Sequence, residues 1–473
     1  MRTKTIATLG PSSSDRSVIR SMVEQGVHIF RLNFSHAHAQ EFEPTVRIIR
    51  ELERELEVPL TIMGDLSGPK IRIGPIEGSP LEIDKGEAIY LGLPQHQGLE
   101  EERHYLSLDF PEALHGLEVS MPVTLSDGTP GFVVEAVLKK DELFLLRAVS
   151  GGILSSNKGI SFPGKSFNLP ALTDKDRHDL HAALELGFDS FAMSFVQTEK
   201  DIADVQQELQ QQKKWVPVIA KLERSSSLDN LDSILAAADG VMVARGDLGL
   251  ECSLSALPVI QKKIIQACRR AHKPAIVATQ MLLSMVRNPL PTRAETTDVA
   301  NAILDGADCV MLSEETAVGK YPVEAVSMIQ EIAHHAEKYL LERMQGPNRP
   351  SDEKDPGKYL AYSACLIADH AESVALACHS TTGKTAALLS SRRPAQPIFA
   401  MTPDFRVIRA LNFFWGVKPR PSDDTVPNHL DRVEKFVQES DLFQPGDRIV
   451  ITSGQPTPGQ KERHTNQIKI YYK

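Results

Sequence analysis

Two carboxylates and an ammonium stand at the ends of neighbouring apolar runs. Lys221-Leu222-Glu223 closes the run from Val216 to Ala220, and Met242-Val243-Ala244-Arg245-Gly246-Asp247-Leu248-Gly249 closes the next. Glu223 and Asp247 suit a hard divalent cation, Mg2+ or Mn2+, held against substrate oxygens. Lys221 beside them can neutralise charge on a phosphoryl group in transfer. The set fits a phosphorylated anion, although Lys and Glu two residues apart also make surface ion pairs.

Other runs end in similar chemistry. In Phe30-Arg31-Leu32-Asn33-Phe34-Ser35-His36, the planar fork of Arg31 can grip phosphate oxygens. Asn33 and Ser35 offer neutral oxygens to a cation, and His36 can reach a nucleotide. Gly64-Asp65-Leu66-Ser67-Gly68-Pro69-Lys70-Ile71-Arg72 combines a carboxylate, a turn and two cations. Ala278-Thr279-Gln280-Met281 places a hydroxyl, Thr279, where it can position a proton relay or a water, while Met281, Leu282 and Met285 read as packing. Far downstream, Ser380-Thr381-Thr382-Gly383-Lys384-Thr385 lies between a strand and a helix, a setting for an anion. A nucleotide P-loop is excluded because Cys378 stands where that motif needs Gly. A phosphorylated effector and an ordinary N-capped helix remain the two readings.

The elements that must position these residues alternate. Strand candidates are Lys4–Leu9, Val27–Leu32, Leu60–Asp65, Ser190–Ser194, Val216–Lys221, Gly240–Ala244, Ala275–Thr279 and Cys309–Leu312. Helical patterns between them, such as Val46–Glu57, Ile202–Gln211, Leu257–Ala271 and Thr297–Leu304, predict an α/β fold, a (β/α)8 TIM barrel active at its strand C-termini. A Gly- and Pro-rich stretch with alternating apolar residues follows the third strand and predicts a small β-barrel inserted as a lid. The Pro-rich stretch Gly346–Gly357 reads as a linker to a C-terminal α/β domain. The expected division is therefore a catalytic barrel over 1–67 and 169–344, a lid over 68–168, and an α/β effector domain over 345–473.

Composition narrows the function. A net charge of -10 argues against a nucleic-acid binder, and no apolar run approaches the roughly 20 residues that span a bilayer. The N-terminus enters a strand pattern directly, unlike a signal peptide. Five scattered cysteines without metal spacing predict reduced thiols in a cytoplasmic protein.

These motifs, in order and over nearly the whole chain, resemble the pyruvate kinase family. The resemblance rests on Lys4-Thr5-Ile6-Ala7-Thr8-Leu9-Gly10-Pro11-Ser12-Ser13, Arg31 to His36, Gly68 to Arg72, Arg245 to Gly249, Ala278 to Met281, and Pro291-Thr292-Arg293-Ala294-Glu295. It implies phosphoryl transfer from phosphoenolpyruvate to ADP, giving pyruvate and ATP. It also implies Mg2+ on Glu223 and Asp247, with Lys221 stabilising the phosphoryl group and Arg31 binding phosphate. Ala244, Arg245, Gly246, Asp247 and Ser194 would bind substrate, and Thr279 would lie near the enolate's protonation face. Arg72, Lys158, His36, Asn33 and Asp127 would contact the nucleotide. Asn33, Ser35, Asp65 and Leu66 match the family's K+ ligands. Lys70, however, stands where K+-requiring members carry Glu, so reduced or absent K+ dependence is expected. Leu283 and Glu314 also depart from the family pattern. An allosteric effector, a sugar or nucleoside monophosphate, is expected at Ser380 to Thr385, and a homotetramer is implied. The alternatives are a metal-dependent pyruvate or phosphoenolpyruvate aldolase or lyase, which needs no nucleotide-facing lid, and a non-catalytic binding protein, which would not keep Lys221, Glu223 and Asp247 together.

Overall fold

The computed structural model describes the chain except residues 70, 99–102, 126–129, 166–169, 351–354, 424 and 455–464. Lys70 and Asp127 therefore lie outside the described residues, as do parts of the linker and the expected lid boundary at Asn168.

Eight parallel strands close into a barrel, neighbours in space following their order along the chain. They are Lys4–Thr8, Ile29–Asn33, Thr61–Leu66, Ser190–Met193, Val218–Leu222, Gly240–Ala244, Ala275–Ala278 and Cys309–Leu312. Strands buried on both faces are mainly apolar, which is why these runs stood out from the sequence. Within each, alternate residues divide the work. Ile6, Ile29, Met63, Ile219, Met242, Ile276 and Met311 fill the barrel interior. Ala7, Phe30, Ile62, Ala220, Val241, Val243 and Val277 pack outward under the helices.

The helices carry legible ends. Asp174–Leu186 starts on Thr173, whose side chain accepts from the Asp176 amide, and stops at left-handed Gly187. Arg293–Asp305 starts on Thr292 with Glu295 reaching back, and stops at Gly306. Both are capping boxes that satisfy orphan helix N–H groups.

The segment after the third strand has its own apolar core, including Ile89, Leu106, Phe132, Phe144 and Phe162. It is all-β as expected, but among the described residues it is not a hydrogen-bonded ring. A six-stranded sheet and a separate two-stranded ribbon form instead. The outer strands, Tyr105–Ser107 and Ile160–Ser161, are too short to supply a closing ladder. Its two connections to the barrel are zipped together, with Ile73 N donating to Lys158 O at 3.0 Å and Ile160 N to Ile71 O at 3.1 Å.

The C-terminal part is a five-stranded sheet with four parallel strands and the last antiparallel. Its outer strand Val417–Pro421 carries two prolines, which only an edge tolerates. It is fixed to the barrel by Arg409, whose guanidinium meets Glu53 at 2.7 Å and Asp189 at 3.1 Å, and by Arg393 on Asp308 at 2.8 Å. Among the described residues no helix is long and apolar enough to cross a membrane.

Candidate active site at the barrel mouth

The C-terminal ends of barrel strands two to five converge on Lys221. Its ammonium donates to Ser194 Oγ at 2.7 Å and Asp65 Oδ1 at 3.1 Å, and lies 3.0 Å from Glu223 Oε1. Burial works against the charged form, but Asp65 and Glu223 outweigh it and hold the ammonium above its usual pKa. Lys221 is therefore a fixed positive charge.

Arg31 supplies the second cation. Its Nε reaches Asp65 Oδ2 at 2.6 Å, and Nη1 reaches Thr8 Oγ1 at 3.0 Å. Asp65 is itself buried, which alone would raise its pKa, yet Arg31 and Lys221 together hold it below the usual carboxylate range. One buried carboxylate thus clamps two cations side by side at the mouth. A surface ion pair is excluded for Lys221 and Glu223, since both side chains are nearly covered.

Glu223 behaves in the opposite way. Burial raises its carboxyl pKa and Asp247's charge raises it further, against the pull of Lys221. Its Oε2 accepts from Phe195 N at 2.8 Å. Two carboxylates crowded at one spot, with a net excess of negative charge, are what a divalent cation relieves. No group of three or more His, Cys, Asp or Glu side chains forms a metal cluster among the described residues. Glu223 and Asp247 therefore fit Mg2+, which is held by one or two carboxylates and completes its shell with waters and substrate oxygens.

Asp247 sits in the first turn of the short helix Arg245–Glu251, which starts directly from the sixth strand. Gly246 N donates to Thr279 Oγ1 at 2.9 Å, and Thr279 donates to Ala278 O at 2.6 Å. A Cβ at Gly246 would lie in ordinary van der Waals contact with Thr279, at 3.7 Å, so Thr279 packs directly against this backbone. Thr279 and Gln280 hold φ of 69° and 53°. Two consecutive left-handed non-glycine residues are costly and typical of sites whose geometry is over-determined.

Arg245, expected among the substrate-binding residues, has its guanidinium engaged within the protein. Its Nη1 is chelated by Asp298 Oδ1 and Oδ2 at 2.8 and 2.6 Å, Nη2 donates to Thr279 O at 2.7 Å, and Nε to Ala278 O at 3.2 Å. The guanidinium braces the seventh strand's end beside Thr279.

The remaining expected residues fall in three places. Asn33 Oδ1 accepts from Ser35 N at 3.1 Å, Leu66 O accepts from Ser194 Oγ at 2.7 Å, and Asn33 stands opposite Asp65 in the strand register. His36 is exposed near them. Arg72 and Lys158 are exposed at the root of the inserted module, Arg72 Nη1 donating to Asn157 O at 3.0 Å. Ser380 to Thr385 are far along the chain in the C-terminal domain. There Ser380 Oγ accepts from Thr385 N at 3.1 Å, and Thr385 Oγ1 meets Thr465 Oγ1 at 2.9 Å. The loop borders a small cavity with His379 and His429.

Sequence reasoning missed three supports. Asp176, fully buried, accepts from Ser67 N at 2.8 Å and Gly68 N at 3.2 Å, besides capping its own helix. It thereby fixes the point where the insertion leaves the barrel. Gly68 there has φ of +64°, and a Cβ would press on Phe195 at 2.8 Å. Asp298 anchors Arg245, and buried Glu315 accepts from Leu282 N at 3.0 Å and Ser313 N at 2.7 Å. The capping box around Asp176 was readable, but its second set of partners was not. Nothing in the structure explains Leu283 or Glu314.

A barrel whose strand ends gather two clamped cations, a carboxylate pair and a helix start defines an enzyme that handles phosphorylated anions. The family model described as pyruvate kinase, barrel domain, matches residues 1–326, and that of the pyruvate kinase alpha/beta domain matches 358–471. A pyruvate kinase of Agrobacterium vitis is 40% identical over 99% of this chain and 96% of its own. Pyruvate kinase 2 of Synechocystis is 38% identical over 96% and 76%, and a Thermococcus litoralis pyruvate kinase 36% over 99% and 98%. The chain belongs to the pyruvate kinase family. It is a phosphotransferase of glycolysis, moving the phosphoryl group of phosphoenolpyruvate to ADP, and the aldolase or lyase alternative finds no support. Its family generally uses a divalent metal and K+.

Proposed function

We propose that Lys221, Arg31 and Thr279 carry the transfer, with Glu223 and Asp247 holding Mg2+. The observation that carries this reading is the placement of Lys221 and Arg31 on one buried carboxylate, Asp65, beside the Glu223–Asp247 pair. Two fixed cations can hold the phosphoryl group's equatorial oxygens as charge spreads over them, which is the main demand of phosphoryl transfer. Held by Glu223 and Asp247, the metal would supply divalent positive charge against the substrate's negative charge.

The backbone from Ala244 to Asp247 would receive the substrate carboxylate at the helix start. Thr279 lies against it, its hydroxyl bonded to Gly246 N, and would orient the proton that the enolate takes up. Ser194 keeps Lys221 in place. Arg72, Lys158, His36, Asn33 and Asp127 would bind the nucleotide, and the inserted module would close over it to exclude water that otherwise takes the phosphoryl group. The proposed division remains a barrel over 1–67 and 169–344, a lid over 68–168 and an effector domain over 345–473. In that last domain, Ser380 to Thr385 would take a phosphorylated activator. A cytoplasmic homotetramer is part of the same reading.

The metal assignment is tested by Mn2+ titration followed by electron paramagnetic resonance. Glu223→Gln and Asp247→Asn should each weaken binding at least tenfold, and wild-type affinity in both would remove these residues from the metal site. Reduced K+ dependence is proposed from Lys70, supported by Asp65 already facing two protein cations. Pyruvate formation should persist in buffer free of K+ and Na+. Activity that vanishes there and returns with KCl would sink this part.

A further inference from the structure

The left-handed turn at Thr279 and Gln280 needs a brace. A β-branched residue at φ of 69° is an outlier, and Gln280 follows it at 53°. Such a conformation persists only where its surroundings over-determine it. The Arg245 guanidinium does so with five contacts, as many as it has N–H groups. Nε donates to Ala278 O at 3.2 Å, while Nη2 donates to Thr279 O at 2.7 Å and Met281 Sδ at 2.9 Å. One planar fork thus holds the whole turn. Nη1 is left to Asp298, whose two oxygens take it at 2.8 and 2.6 Å.

Asp298 comes from a separate element, the helix Arg293–Asp305. Its side chain is 39% exposed, against 12% for Arg245, and a pair this open adds little to the stability of the fold. What the carboxylate adds is direction, because its charged grip sets the plane and reach of the fork.

The turn matters through Thr279 Oγ1, which accepts from Gly246 N at 2.9 Å and donates to Ala278 O at 2.6 Å. A hydroxyl has a single hydrogen to give, so it turns toward substrate only by releasing Ala278 O. Arg245 Nε already donates to that buried carbonyl, so it keeps a donor when the hydroxyl leaves. We propose that Arg245 and Asp298 are positioning residues for the proton step. Asp298 aims Arg245, and Arg245 holds the Thr279 turn and covers Ala278 O as the hydroxyl swings. In that step the enolate's electron pair forms the new C–H bond, and the proton comes from solvent through the Thr279 hydroxyl. The inference rests on the role proposed above for Thr279. Phosphoryl transfer leans on Lys221 and Arg31 instead.

The test turns over phosphoenolpyruvate, deuterated at one of its two vinyl positions, in tritiated water and reads the configuration of the methyl group in the pyruvate formed. The wild type should give one enantiomer in large excess, and Asp298→Ala should at least halve that excess. Its kcat should fall at least about tenfold, while KM for phosphoenolpyruvate and the single-turnover rate of ATP formation stay within about threefold. On an Arg245→Lys background, Asp298→Ala should add less than about twofold, since it acts through Arg245. Circular dichroism checks that each variant folds, and Asp298→Asn, of the same size without the charge, carries the test if Asp298→Ala does not. Thr279→Ala separates the two readings. Full enantiomeric excess in Thr279→Ala would overturn the role of Thr279 and this proposal with it. Excess lost in Thr279→Ala but kept in Asp298→Ala would overturn this proposal alone, as would ATP formation slowed as much as kcat.

Discussion

Replacing Lys221 by methionine separates the chemical role of its charge from its structural one. Breaking a buried ion pair from one side typically costs about 3–5 kcal/mol, because the partner is left uncompensated. Here both partners keep another donor. Asp65 retains Arg31 Nε at 2.6 Å, and Glu223 retains Phe195 N at 2.8 Å. The cost should fall at the lower end, about 3 kcal/mol, within the usual stability of about 5–15 kcal/mol, so Lys221→Met should fold. Its catalytic loss should be far larger. Removing one preorganised neutral donor slows turnover by about 10²–10³, and a full ammonium aimed at a phosphoryl group should cost at least 10³, about 4 kcal/mol of barrier. Arg31 still grips phosphate, so KM for phosphoenolpyruvate should change less than tenfold. Mn2+ affinity should hold or tighten, because an ammonium 3.0 Å from Glu223 is removed. A coupled assay of pyruvate formation, with the Mn2+ titration alongside, reads all three. A folded variant turning over within tenfold of the wild type would leave Lys221 a structural residue and refute the reasoning.

Two further outcomes follow from buried groups away from the metal. Asp176→Ala should strip an acceptor from the Ser67, Gly68 and Thr173 amides. At about 1 kcal/mol for each orphaned donor, local opening becomes easier by about 3 kcal/mol, so hydrogen exchange at Ser67 and Gly68 should speed up about 10²-fold; unchanged rates would show that the loop is held elsewhere. The second concerns acid stability. His379 is 2% exposed, and burial, with His429 and Arg432 beside it, pushes its pKa down to about 3. The unfolded value is near 6.5, so between these limits the unfolded chain binds more protons and stability falls as pH drops. One such group contributes about 2 kcal/mol of loss at pH 5 relative to pH 7. His28 and His272 are held down to about 3 in the same way, mainly by burial. His379→Leu should therefore flatten the pH dependence of chemical denaturation by about one proton, and an unaltered slope would contradict the buried neutral imidazole.

What the sequence made legible follows from where the forces are local. Each barrel strand is apolar on both faces and ends in polar residues at one rim, so a run such as Gly240 to Ala244 announces both the element and the site beyond it. Its observed bounds match the expected ones because nothing outside the run had to be known. Arg245, the next residue, shows where locality stops. The motif places Arg245 at the strand end, but its bidentate partner Asp298, 53 positions away, cannot be read from that run. Asp176 is similar. Its capping box is written within four residues, but its hold on Ser67 and Gly68 spans more than a hundred positions. Ring closure in the inserted module was also beyond reach, since it depends on whether two- and three-residue edge strands meet. The candidate site residues are thus read from strand ends, whereas partners such as Asp176 and Asp298 appear only once the chain is folded. Asp65 holds Arg31 and Lys221 side by side at 2.6 and 3.1 Å, so the charge pattern at the mouth belongs to the tertiary fold as much as to the motifs.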